Sequence, residues 1–178
     1  ELAQAQSLAS GTFADRNTTE VGSGTLTFNV GGVETAITVD ETNNTLDGLA
    51  KAINDSNAGV SAGIVDTGSG FRLVLSADES GLDNAIQISV TDDDGNNTDN
   101  TGLSQFVFDG VTSNMTETVA AKDARLEING IEVTRSSNTV EGVVDGVTFD
   151  LFATGTSTVK IAQDPEAVAG RVQEFVDK

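Results

Sequence analysis

The sequence contains no cysteine, no histidine, no tryptophan and no tyrosine. Without cysteine or histidine the chain has no thiol nucleophile, no disulfide, no imidazole base and no zinc site of the Cys/His type. Triads of the Ser-His-Asp and Cys-His kinds are excluded for the same reason. These absences point away from most enzymes and favour a binding or structural protein. We therefore expect no enzymatic activity, no catalytic or metal-binding residue and no cofactor.

Positive charge is also scarce. The chain carries 9 Lys and Arg against 28 Asp and Glu, a formal net charge of −19. Such a charge repels nucleic-acid phosphates and anionic membrane surfaces, so neither is expected as a partner. No stretch approaches the roughly 18 apolar residues of a membrane helix. The cationic residues are scattered and form no stripe: Arg16, Lys51, Arg72, Lys122, Arg125, Arg135, Lys160, Arg171 and Lys178.

The 178 residues are enough for one or two domains. The first residue is Glu1 and the only methionine is Met115. We interpret the sequence as a fragment of a longer protein, for which the absence of a signal peptide says little about location.

The first half of the chain carries the alternation of a β-rich fold. Apolar residues alternate with polar ones over residues 24–30, and Gly31-Gly32 predicts a two-residue hairpin turn before a return strand over residues 33–39. Further strands are predicted around residues 60–64, 71–75 and 86–90, and the acidic stretch 92–102 is predicted to be a loop.

Two helical segments are predicted in the same half. Thr45 is a candidate N-cap, and Leu46, Leu49, Ala50 and Ile53 follow at the spacing of one helix face. Residues 1–9 resemble the tail of another helix, because Leu2, Ala5 and Leu8 lie about one turn apart.

The second half predicts a smaller β region. Asn129-Gly130 is a strong hairpin signal between two apolar strands. A short turn or helix is predicted at residues 139–144, followed by strands at 147–151 and 159–161. Asp164-Pro165-Glu166 is typical of a helix start, with an N-cap, a first-turn proline and a first-turn acid.

A short internal echo links the two halves. Residues 44–49 are NTLDGL and residues 138–143 are NTVEGV, and each follows a predicted hairpin with a tight turn. The echo is open to two interpretations: a duplicated unit of hairpin, connection and capped helix, or chance similarity in a chain rich in Asn, Thr and Gly.

Two groups of residues could carry binding. The run from Asp92 to Asn96 suggests calcium, but the EF-hand frame places Val90 where a carboxylate is required, so a solvated loop is the favoured interpretation. Phe13, Phe106 and Phe108 are favoured as core residues. If they are exposed, they are candidate contact points with another subunit.

Two segments carry a family resemblance. The runs GTLTFNVGGVETAITVDETNNTLDGLAKAIN (24–54) and GVSAGIVDTGSGFRLVLSADESGLDNAIQIS (59–89) resemble the insertion motif of flagellar axial proteins. The segment DARLEINGIEVTRSSNTVEGVVDGVTFDL (123–151) resembles the bacterial flagellar filament-capping family, also called flagellar hook-associated protein 2. Together with ELAQAQSLASGTF at the start, the resemblance to this family covers nearly the whole chain.

The resemblance implies a fold. The fold class is mainly β: two small antiparallel domains with short helices, the inner one discontinuous in sequence and flanked by the ends of leg helices. Residues 1–19 would hold the end of a helix and the start of the inner head domain. Residues 20–117 would form the outer head domain, 118–163 the inner head domain and 164–178 the start of a leg helix.

The resemblance also implies a function. The family forms a homo-oligomeric ring, a pentamer or hexamer of full-length protein, at the distal tip of the extracellular flagellar filament. There it promotes flagellin assembly and prevents monomer loss, as filament elongation and motility require. Its partners would be further copies of itself, flagellin and, for an adhesive member, host mucin.

Two alternatives to capping remain open at this stage. One is a surface adhesin that binds host mucin or glycans. The other is a related flagellar axial protein, either a hook–filament junction protein or a flagellin, which would share the insertion motif but not the 123–151 segment.

Overall fold

The computed structural model describes residues 1–160 of the chain, which are mainly β. This range holds eleven strands, one α-helix and two short 3-10 helices. The strands are β1 Ser7–Ala9, β2 Gly24–Val30, β3 Val33–Val39, β4 Val60–Asp66, β5 Phe71–Ala77, β6 Gln87–Asp92, β7 Thr116–Val119, β8 Ala124–Ile128, β9 Ile131–Arg135, β10 Thr139–Val144 and β11 Val147–Asp150. The α-helix, α1, is Leu46–Ser56, and the 3-10 helices are Leu82–Asn84 and Gly102–Phe106.

The two predicted tight hairpins are confirmed at their turns. β2 pairs with β3 up to the Val30–Val33 pair, and Gly31 and Gly32 between them have φ of 61° and 77°. β8 pairs with β9 in the same manner around Asn129 and Gly130, whose φ values are 52° and 83°. Left-handed backbone at both positions is the requirement of a type I′ turn, which Gly-Gly and Asn-Gly meet.

The predicted helix after residue 45 is also confirmed. Thr45 has extended backbone, and its hydroxyl accepts the N–H of Gly48 at 3.2 Å. The helix ends at Ser56, and Asn57 after it takes the left-handed conformation. Its apolar face is buried, as the spacing predicts, through Leu46, Leu49, Ala50 and Ile53.

One hydrophobic core lies among α1 and two antiparallel sheets. The first sheet has the order β4-β5-β1-β7 and the second has the order β3-β2-β6. Alternate residues of β2 enter this core, which extends along the chain from Leu8 to Met115. Phe13 and Phe106 stack inside it with ring centroids 6.1 Å apart, and Phe108 packs against it. We call residues 7–119 the core region.

The second region consists of two separate hairpins. β8 pairs only with β9, and β10 pairs only with β11, among the described strands. Val140 is fully buried, but most other apolar side chains of these hairpins are only half-buried, and Ile131 is 68% exposed. A lone two-stranded hairpin is marginally stable in water, so these depend on contacts with other parts of the protein. We call residues 121–151 the hairpin region.

Two secondary-structure predictions are wrong. The predicted helix tail at residues 1–9 is an extended segment that ends in β1, because its backbone pairs with β5 and β7. The predicted turn or helix at residues 139–144 is β10, so the echo does not extend to a second capped helix. The prediction missed the turn at Asp145-Gly146, which returns the chain from β10 into β11.

The last predicted elements fall at the border of the described range. Val159 is exposed and lies outside any strand. Ile161 and the helix predicted from Asp164 lie outside the described residues.

Candidate functional site

The feature that joins the two regions is an extended segment at the start of the chain. Residues 1–6, which we call the N-terminal segment, form backbone or side-chain hydrogen bonds with both the core region and the hairpin region. We call the N-terminal segment and its partners the joint. The joint decides how the two regions are held together.

Gln6 anchors the segment to the core region. It is only 4% exposed. Its Oε1 accepts the N–H of Ile86 at 2.6 Å, and its Nε2 donates to Glu117 Oε1 at 2.6 Å. Its backbone carbonyl accepts the N–H of Ala77 at 2.9 Å. The side chain therefore connects the residue before β6 with β7, the backbone carbonyl adds β5, and both ends of the amide are satisfied.

The segment reaches the hairpin region through two antiparallel backbone pairs. Gln4 and Lys122 exchange two backbone hydrogen bonds, of 2.8 and 3.1 Å. Glu1 and Arg125 exchange two more, of 2.8 and 2.9 Å. The two pairs are three residues apart, whereas bonded pairs in a regular ladder are two apart, so the N-terminal segment runs irregularly beside the start of β8.

Asn138 holds the segment from the other hairpin. Its Oδ1 accepts the N–H of Ala3 at 2.8 Å, and its Nδ2 donates to the carbonyl of Ala3 at 3.0 Å. The side-chain amide thus pairs with the backbone N–H and C=O of Ala3, as the backbone of a neighbouring strand would. It satisfies two backbone groups that would otherwise face the start of β10 unpaired.

The loop before the first 3-10 helix closes the joint. Ser80 Oγ donates to the carbonyl of Ser136 at 2.7 Å, and the N–H of Leu82 donates to Asp123 Oδ1 at 2.8 Å. Gly81, between them, has φ of 102°, and a Cβ there would lie 2.5 Å from the Cβ of Ser136. Only glycine fits this close approach.

Ion pairs contribute little to the joint. Lys122 Nζ lies 3.2 Å from Glu1 Oε1, with side chains 47% and 49% exposed. Arg125 and Glu132 are 3.8 Å apart and more exposed. Exposed pairs of this kind are worth roughly 0–1 kcal/mol and are screened by salt. Hydrogen bonds and the close approach at Gly81 therefore contribute more to the joint than these ion pairs do.

Several carboxylates stabilise loops of the core region. The hydroxyl of Ser104 and then that of Thr101 lower the pKa of Asp99 by hydrogen bonding to its charged form. The backbone N–H groups of Thr112 and Val111 lower the pKa of Asp109 in the same way. These acids act as turn formers.

The acidic loop uses its carboxylates internally. Asp92 is buried, and its oxygens accept the N–H of Ser104 at 2.8 Å and that of Asp94 at 3.4 Å. Asp94 in turn accepts the N–H of Asn96 at 2.7 Å. Within residues 1–160 no group of three or more acidic side chains is placed to hold a metal ion. These bonds organise the loop around the second 3-10 helix.

The joint contains the residues that sequence reasoning missed. Phe106 is 1% exposed and Phe13 is 7% exposed, so these two are core residues rather than contact points. Gln6 and Asn138 were not predicted. Their side-chain partners lie up to 111 and 135 residues away, and no local pattern marks either residue.

The helix of the described part is short. In residues 1–160 no helix has the length and apolarity to cross a membrane.

Two family models match the chain in separate places. The model described as flagellar hook-associated protein 2 C-terminus matches residues 121–178, and the one described as flagellin hook IN motif matches residues 25–79. The first takes in the hairpin region, and the second extends from β2 through β5.

Curated relatives carry similar names. The B-type flagellar hook-associated protein 2 of Pseudomonas aeruginosa is 36% identical over 99% of this chain, which spans 40% of that relative. The flagellar hook-associated protein 2 of Escherichia coli K12 is 38% identical over 78% of this chain, which spans 30% of that relative. The chain therefore spans less than half the length of these curated relatives.

Solved structures share the fold. The crystal structure of FliD (HAP2) from P. aeruginosa superposes with a TM-score of 0.83 at 36% identity, covering 99% of this chain and 82% of that one. The structure of the D1-D2-D3 domains of the flagellar cap protein FliD from E. coli gives 0.86 at 32% identity, covering 99% of this chain and 51% of that one.

Proposed function

The chain belongs to the flagellar hook-associated protein 2 family, and we propose that it forms the β-rich head of a protein that caps the distal tip of the bacterial flagellar filament. The observation that carries the proposal is the similarity of 99% of the chain to FliD from P. aeruginosa at a TM-score of 0.83. In this role the protein promotes flagellin assembly and prevents loss of flagellin monomers. It is a structural part and not an enzyme.

The head is divided as the family resemblance implies. The division that we propose makes residues 20–117 the outer head domain and residues 118–163 the inner head domain. The leg helix predicted for residues 164–178 lies outside the described residues. The bonds of Gln6 and Asn138 support a role for residues 1–6 as the connection between the two domains.

The proposed partners follow from this role. The full-length protein forms a homo-oligomeric ring, a pentamer or hexamer, outside the cell at the end of the filament, and flagellin enters beneath it. The net charge of −19 favours solubility of a head that is exposed outside the cell. The relatives are named for hook-associated protein 2, so an adhesin, a flagellin or a junction protein is not favoured.

The joint has a mechanical part in this function. A cap at a growing tip has to hold its head while subunits are inserted below it. Four backbone hydrogen bonds and two bonds from Asn138 hold the N-terminal segment against the hairpin region. A loosened joint would let the head domains rotate and open the cap.

Replacement of Asn138 tests the proposal in the full-length protein. Asn138→Ala removes both bonds to Ala3. We expect shorter filaments, reduced swimming and more unassembled flagellin in the medium of a strain that carries this variant. The measurements are filament length by electron microscopy and flagellin in the culture supernatant.

Asn17→Ala is the matched control. Asn17 is exposed, and its side chain has no hydrogen-bond partner within residues 1–160. A strain with this variant should swim normally. If deletion of the whole protein leaves filament growth and flagellin retention unchanged, the capping function is wrong. If only Asn138→Ala is silent, capping stands and the mechanical part assigned to the joint is wrong.

A further inference from the structure

The turn of the β8–β9 hairpin contains the only Asn-Gly pair of the sequence, Asn129-Gly130. Both residues are exposed and have left-handed backbone, with φ of 52° and 83°. The corresponding turn of the core region is Gly31-Gly32, in which neither residue has a side chain. The two turns therefore share a type I′ backbone, but only the one in the hairpin region carries a side-chain amide.

The reactive groups at this turn have no hydrogen-bond partners in the described structure. The N–H of Gly130 forms no backbone hydrogen bond within residues 1–160. The side-chain amide of Asn129 has no partner in that range either, whereas that of Asn54 exchanges two hydrogen bonds with Ala62, of 2.7 and 2.9 Å. Because glycine has no Cβ, its nitrogen is accessible to the side-chain carbonyl carbon of the residue before it. A nitrogen nucleophile and its electrophile are thus adjacent and exposed.

The hairpin around the turn is weakly held. Among the described strands β8 pairs only with β9. Ile128 is half-buried and Ile131 is 68% exposed, so the pair that closes the turn has little packing over it. Weakly packed hairpins open locally at a far lower cost than global unfolding. Local opening releases the turn from its left-handed backbone and lets the nitrogen of Gly130 reach Cγ of Asn129.

We propose that Asn129-Gly130 is a site of spontaneous deamidation and that the isoaspartate formed there opens the β8–β9 hairpin. The nitrogen of Gly130 gives up its proton and bonds to Cγ of Asn129. The Cγ–Nδ2 bond breaks, and the amide leaves as ammonia after taking up a proton. Water then opens the resulting succinimide ring. Cleavage of the new N–Cγ bond gives aspartate, and cleavage of the original backbone C–N bond gives isoaspartate.

The two products affect the turn differently. Aspartate keeps the backbone and adds one negative charge, and Asp-Gly is also a favoured type I′ pair. In isoaspartate the chain runs through the side chain, which lengthens the backbone by one methylene group. A two-residue turn does not accommodate this extra atom, so the closing pair of Ile128 and Ile131 is lost. The inference rests on the hairpin alone and is independent of the capping function.

Ageing of the 178-residue chain tests the proposal. The protein and a synthetic peptide of residues 124–135 are incubated at mildly alkaline pH. Aspartate and isoaspartate are then quantified by mass spectrometry of proteolytic fragments. We expect most of Asn129 to convert in the protein while Asn54, whose amide is bonded to Ala62, stays intact. If Asn129 stays intact in the protein while it converts in the peptide, the proposal is overturned.

NMR of the aged protein tests the effect on the hairpin. The isoaspartate fraction is separated from the aspartate fraction by ion exchange and chromatography of the intact chains. We expect the amide signals of Ile128 and Ile131 to lose their folded positions in the isoaspartate fraction and to keep them in the aspartate fraction. Folded positions for both residues in the isoaspartate fraction contradict the proposal.

Two variants of Asn129 separate the reaction from its consequence. Asn129→Gly copies the Gly31-Gly32 turn and cannot form the ring. Asn129→Asp supplies the charge on an unaltered backbone. We expect ageing to lower the unfolding midpoint of the natural sequence but not that of Asn129→Gly, and fresh Asn129→Asp to unfold close to the fresh natural sequence. An equal decline of Asn129→Gly on ageing would show that deamidation at this turn is not the cause.

Discussion

Two similar hexapeptides of this chain adopt different secondary structures. NTLDGL at residues 44–49 forms the cap and first turn of α1, whereas NTVEGV at residues 138–143 forms the start of β10. Gly48 has helical backbone, but Gly142 has φ of 68° at the irregular point of the β10–β11 pair. Six similar residues therefore do not specify a structure.

The residues that follow decide between the two outcomes. NTLDGL continues with Ala50, Lys51, Ala52 and Ile53, which favour a helix and complete an apolar face. NTVEGV continues with Val144 and then with Asp145-Gly146, a hairpin turn. β-branched residues lose side-chain freedom in a helix and pack well in a strand, so the second copy extends.

The same comparison applies to the two regions that hold the hexapeptides. The first copy lies in a core shared by two sheets and a helix, and the second lies in a pair of hairpins held through the joint. Matched substitutions at equivalent positions should therefore have unequal effects.

The largest difference in lost stability is expected at the sixth position of the hexapeptides, which is Leu49 in one and Val143 in the other. Leu49 is fully buried, and Leu49→Ala should lower the free energy of unfolding by about 2–5 kcal/mol because it leaves a cavity. Val143 is half-buried, and Val143→Ala should cost about 1 kcal/mol. Urea denaturation of the 178-residue chain measures both. Equal losses would mean that the hairpin region is packed as tightly as the core.

At the first position of the hexapeptides, Asn44 and Asn138, the substitution in the hairpin region should be the more destabilising one. Asn138→Ala breaks two bonds to Ala3 and should cost about 1–3 kcal/mol. Asn44 contributes its backbone carbonyl to Val21, and a substitution to Ala keeps that group, so the cost should be within about 0.5 kcal/mol. Denaturation of both variants by urea is the measurement. A larger loss of stability for Asn44→Ala than for Asn138→Ala would contradict the role given to Asn138 in the joint.

A smaller difference in lost stability is expected at the second position of the hexapeptides, which is Thr45 in one and Thr139 in the other. Thr45→Ala removes the N-cap bond to Gly48 and should cost about 1 kcal/mol. Thr139 is exposed and donates to Asp150, so Thr139→Ala should cost within about 0.5 kcal/mol. Circular dichroism during thermal unfolding measures each shift. Thr45→Ser, which keeps the hydroxyl, should restore most of the loss, and failure to do so would argue against capping of the helix.

The smallest expected effect is the loss of stability in acid at Asp99, a residue of the core region. The lowered pKa of Asp99 means that its contribution to stability is complete above its unfolded pKa, about 3.9, and is lost as pH falls through the lower folded pKa. Asp99→Asn should therefore destabilise the chain at about pH 6, and the difference should vanish at the lowest pH. Unfolding midpoints across that range test this. A constant difference would assign the effect to lost packing instead of charge.

Local sequence predicted the parts whose structure depends on neighbouring residues. The turns at Gly31-Gly32 and Asn129-Gly130 and the capped face from Thr45 to Ile53 are confirmed, because φ preference, side-chain capping and a 3.6-residue period act within one or two turns of chain. The errors at residues 1–9 and 139–144 have different causes: the second comes from the missed turn at Asp145-Gly146, which is local, and the first from distant pairing. Leu2, Ala5 and Leu8 have helical spacing, but the backbone there binds strands far along the chain.

The sequence by itself determined the absence of cysteine and histidine chemistry, the strong negative charge, the β-rich class and the family. Only the tertiary structure decided that residues 1–6 would be extended and that Gln6 and Asn138 would hold them. The physical reason is that a backbone N–H can donate to, and a backbone C=O can accept from, any partner of suitable geometry. Which partner lies near it depends on how segments more than a hundred residues apart pack together.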